Sequence, residues 1–210
     1  MLAQQELAGL QKRLNAISVR LCVFEMDAEP TNWITANGAH IPVGEYQKTV
    51  VERAESLPED EAKKLIKDNL QTEAFEKWMD KPEKGTAWPL VRLPDADAEA
   101  IGAKEGVRVG KLSSDTMEKQ KRPDKHPELS AAEYVDAQTV IDHPTNKAQS
   151  ESNSMVYVRE DESEKTGGYV LVAKVTRERD EIFMTSYRRL SRTKAKREKA
   201  IKRLMKKGGQ

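Results

Sequence analysis

The chain has 210 residues, of which 37% are hydrophobic and 34% are charged, and its formal net charge is +1. So few apolar residues predict one domain with solvated appendages, or two small domains, rather than one large compact core. No run approaches the roughly 18 apolar residues of a membrane span, and the first residues lack the basic-then-apolar pattern of a secretory signal. The single Cys22 excludes an intramolecular disulfide and a cysteine-based zinc site.

The near-neutral net charge conceals an uneven distribution. Residues 188–210 hold eleven lysines and arginines and one acid, Glu198, whereas the other 187 residues carry a net charge of −9. A basic terminal arm on an acidic body is typical of a protein that contacts a polyanion. A solvated, solubilising helix end is the alternative interpretation. The apolar stripe of the arm is short, so we expect it to be helical and poorly packed.

The N-terminal region, residues 1–28, is predicted to be a helix. Leucine and isoleucine recur at alternating spacings of three and four residues from Leu7 to Leu21, which places them on one stripe. The stripe is narrow and can pack either on the body of the protein or on a partner helix.

Residues 29–82 are predicted to form a hairpin followed by helices. Asn37-Gly38 stands between two β-prone runs, and both turn residues tolerate the positive φ that a tight turn requires. Three short helices follow at 45–56, 58–70 and 72–80. Pro82 to Gly85 then marks a domain boundary.

Residues 83–191 are predicted to form a small α+β domain. We expect extended segments at 88–93, 107–112 and 155–158, and helical segments at 95–104, 114–121 and 130–142. The last helix opens with Ser130 and Glu133 in a capping-box pattern. A hairpin of 169–175 and 181–189 completes an antiparallel sheet, and 192–210 is the basic helical tail.

The terminal hairpin concentrates polar groups on one face. A four-residue loop at 177–180 pairs Lys174 with Phe183, Val172 with Thr185 and Val170 with Tyr187. Because side chains alternate, Lys174, Thr185 and Tyr187 are then expected together, opposite the core face. A solvated face would show the same alternation.

The segment before the 130–142 helix supplies an isolated imidazole, His126, between Lys125 and Pro127. Adjacent cations favour its neutral form at pH 7. A neutral imidazole accepts the 2′-hydroxyl proton of RNA, and cations stabilise the charge that develops on the phosphorus. One histidine with cations suits metal-free RNA transesterification, whereas a metal-dependent nuclease requires clustered carboxylates. We therefore expect neither a metal nor a cofactor.

These residues also resemble a known family. The order Leu112-Ser113, a Lys/Gln-rich turn, the segment 125–130 and Tyr134, followed by the hairpin 183–189, is similar to phage-encoded barnase/EndoU/colicin/RelE-like nuclease domains. Such domains occur at the C-terminus of Mu-type phage head morphogenesis proteins. The resemblance covers about residues 86–191, and the segment 33–43 is similar to a short motif of phage structural proteins.

The resemblance implies site roles for particular residues. The catalytic set is His126, Lys174, Thr185 and Tyr187. The resemblance also implies a phosphate contact at Arg188. By their positive charge, the further candidate phosphate contacts are Lys119, Lys121, Arg122, Lys125, Arg189 and Arg192. A barnase-like catalytic glutamate has no obvious counterpart, and the chain is too short to include the head-morphogenesis domain.

Two functions from different classes follow. The first is a phage-associated, metal-independent ribonuclease acting as a toxin in the host cytoplasm, with an immunity protein as a partner. The second is a non-enzymatic virion protein that binds RNA, DNA or capsid and portal proteins. Neither involves a membrane.

Overall fold

In a computed structural model of the chain, residues 33–36, 39–123, 129–161, 163 and 166–206 are described. Residues 1–46 and 47–210 form two compact units. The predicted helix over 1–28 lies outside the described residues. No helix within the described residues is long and apolar enough to span a membrane.

In the first unit, β1 (Trp33–Ala36) pairs with β2 (Ala39–Pro42) in an antiparallel hairpin, with Trp33 opposite Pro42. This confirms the hairpin that the Asn-Gly pair predicts, although the turn itself is outside the described residues. Helix α1 (Val43–Ser56) begins in this unit and continues into the second.

The second unit is an α+β domain, which confirms the predicted fold class. Its helices are α2 (Glu59–Leu70), α3 (Glu73–Asp80), α4 (Asp95–Ala100), α5 (Ser114–Gln120), α6 (Ala131–Val135), α7 (Ala137–Asp142) and α8 (Lys194–Lys206). Its strands are β3 (Ala87–Arg92), β4 (Val109–Ser113), β5 (Asn146–Glu151), β6 (Ser154–Glu160), β7 (Gly168–Val175) and β8 (Ile182–Arg189).

The six strands form one sheet in the order β3-β4-β8-β7-β6-β5. All neighbouring strands are antiparallel except β4 and β8, which run parallel, so the sheet is mixed rather than wholly antiparallel. The parallel pair arises because β8, the last strand, inserts between β4 and β7. Strand β5 was not predicted, because its sequence Asn-Lys-Ala-Gln-Ser-Glu lacks β-branched and aromatic residues.

The sheet has a helix layer on each face. On the inner face, α2 and α7 pack against β3, and a chain of ring contacts runs from Trp88 through Phe75 and Tyr134 to Tyr187. On the outer face, α8 packs on β5 and β6. Because both faces of β7 are covered there, outer Val170 and inner Leu171 are both fully buried.

The predicted helix over 130–142 is two short helices, which meet at Asp136. Glu133 accepts a hydrogen bond from the Ser130 amide at 2.9 Å, as the predicted capping box requires.

Candidate nucleic-acid interface

The end of the terminal hairpin near its turn matches the prediction. Lys174 lies directly opposite Phe183, and Thr176 pairs with Glu181 through its backbone amide at 2.9 Å. Lys174, Thr176 and Thr185 border one open cavity of about 440 Å³. The predicted concentration of a cation and hydroxyls on one face is therefore present. Lys174 is also paired with Glu151 at 2.8 Å, so its charge is offset.

The other end of the hairpin departs from the predicted register. A β-bulge places Ser186, not Thr185, opposite Val172, and Arg188, not Tyr187, opposite Val170. One extra residue in a strand moves every following side chain to the other face. The prediction that Tyr187 shares a face with Lys174 and Thr185 is therefore wrong.

Tyr187 lies in the core of the inner face, where it is fully buried. Its ring stacks on Tyr169 and contacts Tyr134, and its hydroxyl donates to the Glu133 carbonyl oxygen at 2.9 Å. Burial, reinforced by nearby Tyr169 and Glu133, raises the pKa of Tyr187. This hydroxyl is a structural donor that holds α6 against the sheet.

Arg189 occupies the same inner face. Its guanidinium donates twice to the Glu133 carboxylate, each time at 2.6 Å, and Tyr169 donates to the same carboxylate at 2.9 Å. Burial acts to raise the pKa of Glu133, but the hydrogen bonds from Arg189, Ser130 and Tyr169 outweigh it and lower the pKa to about 2. Arg189, predicted as a phosphate contact, is thus committed to an internal ion pair.

The predicted cationic segment before α6 is only partly described. His126 and Lys125 lie outside the described residues. Lys119 and Arg122 are exposed near the end of α5, whereas Lys121 donates to the carbonyl oxygens of Met79 and Asp80 at 3.1 and 2.5 Å. Lys121 therefore contacts the end of α3.

A second concave feature lies between β8 and α8. We call it the cationic cleft, a space of about 450 Å³ whose charged lining residues are Arg188, Lys196, Lys199 and Arg203. Among the described residues that line it there is no carboxylate. Burial, and then repulsion from Arg203, lowers the pKa of Arg188, although an arginine remains protonated at neutral pH. Arg192, also predicted as a phosphate contact, is exposed in the connection between β8 and α8.

The cleft exists because α8 is docked, contrary to the expectation of a poorly packed arm. Ile201, only 8% exposed, joins the buried cluster of Val156, Val158 and Val170, with Leu204 packed against it. The valines of β6 and β7 thus supply an outer apolar face for the helix.

The start of α8 is also fixed. Arg197 is 3% exposed and donates to Glu160 at 2.9 Å and to the carbonyl oxygens of Ser191 and Arg192. A Cβ at Gly167 would lie 2.4 Å from the Ser191 backbone oxygen. Only glycine, which has no Cβ, therefore allows the segment at 167 to lie this close to the segment that leads into α8. These contacts hold the cations of α8 in a defined position beside Arg188.

No group of three or more histidine, cysteine, aspartate or glutamate side chains within the described residues could hold a metal ion. Comparison of the chain with family models, curated proteins and solved structures finds no match. The interpretation of the site therefore depends on its geometry and charge.

Proposed function

We propose that this protein binds nucleic acid through the cationic cleft. The observation that carries the proposal is Arg188, a half-buried guanidinium that faces Arg203 and has no carboxylate partner within the described part of the chain. Clustered cations without acids repel one another, and a phosphate backbone relieves that repulsion while releasing counterions. The repulsion among these charges lowers the stability of the folded protein. A function in binding a polyanion explains why the fold nevertheless keeps the cations together.

The geometry favours phosphate contact over direct base reading. Three of the four cations project from one helix, α8, at positions 196, 199 and 203, whose spacings of three and four residues place them on one side of it. Arg188 on β8 forms the opposite wall. Long cationic side chains around an open cleft can follow a backbone irrespective of base sequence.

The test is the salt dependence of binding, measured by the anisotropy of a labelled oligonucleotide of about 12 nucleotides, within the usual range of site sizes. Four phosphate contacts predict a log–log slope of affinity against salt of about −3. Lys199→Glu should weaken binding and flatten the slope. The matched control is Lys104→Glu, which reverses an exposed lysine outside the cleft. Equal weakening by both variants would show that net charge, not the cleft, governs binding.

RNA cleavage is a second candidate function, supported by the cavity that Lys174, Thr176 and Thr185 share. In this proposal the 2′-oxygen attacks phosphorus, the 5′-oxygen leaves, and His126 accepts and returns the proton. The resemblance of residues 86–191 to phage nuclease domains would place the protein in the host cytoplasm or the virion. Tyr187 has no part in this version, because it is buried on the inner face.

Cleavage of RNA in EDTA tests this second candidate. Wild type should cleave, and His126→Ala should be slower by about a hundredfold or more. Equal rates, or no cleavage by either protein, would leave a non-enzymatic nucleic-acid-binding protein, which in a virion could also contact capsid or portal proteins.

A further inference from the structure

We infer that the nucleic acid bound here is single-stranded and that its path continues from the cationic cleft along the outer face of β8 to Phe183. The inference rests on the proposed function and specifies its ligand.

The outer side of β8 is left open by the position of α8, which packs on β5 and β6. From the cleft outward, Arg188 is followed by Ser186, Thr185 and Phe183, each half-buried or exposed. The bulge at Thr185 adds a second hydroxyl to this row. The five steps from Phe183 to Arg188 span roughly 16 Å at about 3.3 Å per residue. This is a polar track with an aromatic ring at its far end.

Phe183 is not one of the buried hydrophobic residues that form the core. It is half-buried on the outer face, borders the open cavity, and has the Lys111 ammonium 4.9 Å from its ring centroid. An aromatic ring between cations on an exposed sheet surface is a platform on which an unpaired base can stack.

The charges at the two ends of the track differ in a way that favours this arrangement. At the Phe183 end, Lys111 is paired with Glu181 and Lys174 with Glu151, so cations and carboxylates balance. At the cleft end every charged residue of the described lining is a cation. Phosphates are therefore drawn to the cleft, whereas the neutral aromatic end suits a base.

A duplex cannot bind the cationic cleft and stack on Phe183 at the same time. Its bases already stack on one another, so none is available to the Phe183 ring, and its second backbone would meet the carboxylates of Glu151 and Glu181. A single strand can turn its bases toward the sheet while its backbone follows the cations.

The experiment compares Phe183→Leu with Phe183→Tyr in the full chain. Leucine keeps apolar bulk and removes the ring, whereas tyrosine keeps the stacking surface. Stacking of one base on an aromatic ring raises affinity roughly 5- to 150-fold. We expect Phe183→Leu to bind a labelled single strand at least about fivefold more weakly, with the salt slope unchanged. Phe183→Tyr should bind like wild type, and the affinity for a duplex should be the same in all three proteins. A fluorescent adenine analogue in the single strand should be quenched by wild type and not by Phe183→Leu.

The outcomes separate the two proposals. If Phe183→Leu binds single strands like wild type, or if wild type prefers the duplex, the single-strand path is overturned while a weakened Lys199→Glu still supports the cleft. If wild type shows no salt-dependent binding to either nucleic acid, the proposed function itself fails. Urea unfolding of each variant establishes that a lost affinity is not a lost fold.

Discussion

Arg188 and Arg189 are neighbours in β8 with opposite environments. Arg189 points to the inner face, where Glu133 accepts two hydrogen bonds from its guanidinium and a third from Tyr169. Arg188 points to the outer face, where burial and repulsion from another cation, Arg203, lower its pKa. A charge satisfied within the fold stabilises the fold, whereas an unsatisfied, half-buried charge is available to a ligand.

The bulge at Thr185 decides which arginine has which role. In an unbroken register Arg188 would lie opposite Tyr169 and face inward, but the bulge places Arg189 there. A single extra residue in the strand thus exchanges the internal ion pair and the candidate ligand contact.

The largest expected effect is the contribution of the docked helix α8 to the free energy of unfolding. Deletion of residues 194–210 removes α8 and exposes Val156, Val158 and Val170, so the free energy of unfolding should fall by at least about 3 kcal/mol. Urea denaturation measures this loss. Ile201→Ala alone should lower the free energy of unfolding by about 2 kcal/mol. The control is Lys202→Ala, which changes the exposed neighbouring residue and should leave the stability almost unchanged. An unchanged midpoint in the deletion variant would mean that α8 is a solvated tail.

The next effect tests the inner ion pair. Glu133→Gln removes the carboxylate that Arg189 and Tyr169 share, and we expect a loss of about 2 kcal/mol in the free energy of unfolding. The control is Glu178→Gln, an exposed position in the β7–β8 turn. Equal stability of the two variants would show that the inner pair contributes nothing.

The same carboxylate predicts a pH dependence. The pKa of Glu133 falls from 4.5 to about 2 on folding, so its contribution is complete above pH 4.5 and is lost as the pH falls toward 2. Wild type should therefore lose more stability than Glu133→Gln between pH 4.5 and about 2. Parallel stability curves for the two proteins in this window would contradict the assignment.

The smallest effect concerns the buried hydroxyl of Tyr187. Tyr187→Phe removes its hydrogen bond to the Glu133 carbonyl and should cost about 1 kcal/mol, measured by thermal unfolding. Nucleic-acid affinity, and RNA cleavage if it is detected, should not change. A large loss of either activity in a folded Tyr187→Phe protein would return Tyr187 to the site.

The sequence predicted this architecture wherever one local rule dominated. Asn37-Gly38 gave the correct hairpin, the capping box at Ser130 gave the correct start of a helix, and the loop at 177–180 gave the correct pairing of Lys174 with Phe183. The candidate site was predicted less well, because a bulge has no sequence signature here and reverses the faces beyond it.

The docking of α8 was missed for a different reason. Its apolar stripe is short, and its partner is a row of valines in β6 and β7 that alternation alone assigns to a solvent face. An arginine at 197 and a glycine at 167 hold the helix, and only their closeness in space reveals this.

The most direct measurement compares Arg188→Gln with Arg189→Gln. For each variant, single-stranded oligonucleotide affinity is measured at several salt concentrations and the free energy of unfolding is measured in urea. We predict that Arg188→Gln binds more weakly with a flatter salt slope and keeps its stability. Arg189→Gln should lose about 2 kcal/mol of stability and bind like wild type while folded. An Arg188→Gln protein that binds as tightly as wild type at every salt concentration would contradict the assignment of the cationic cleft to nucleic acid.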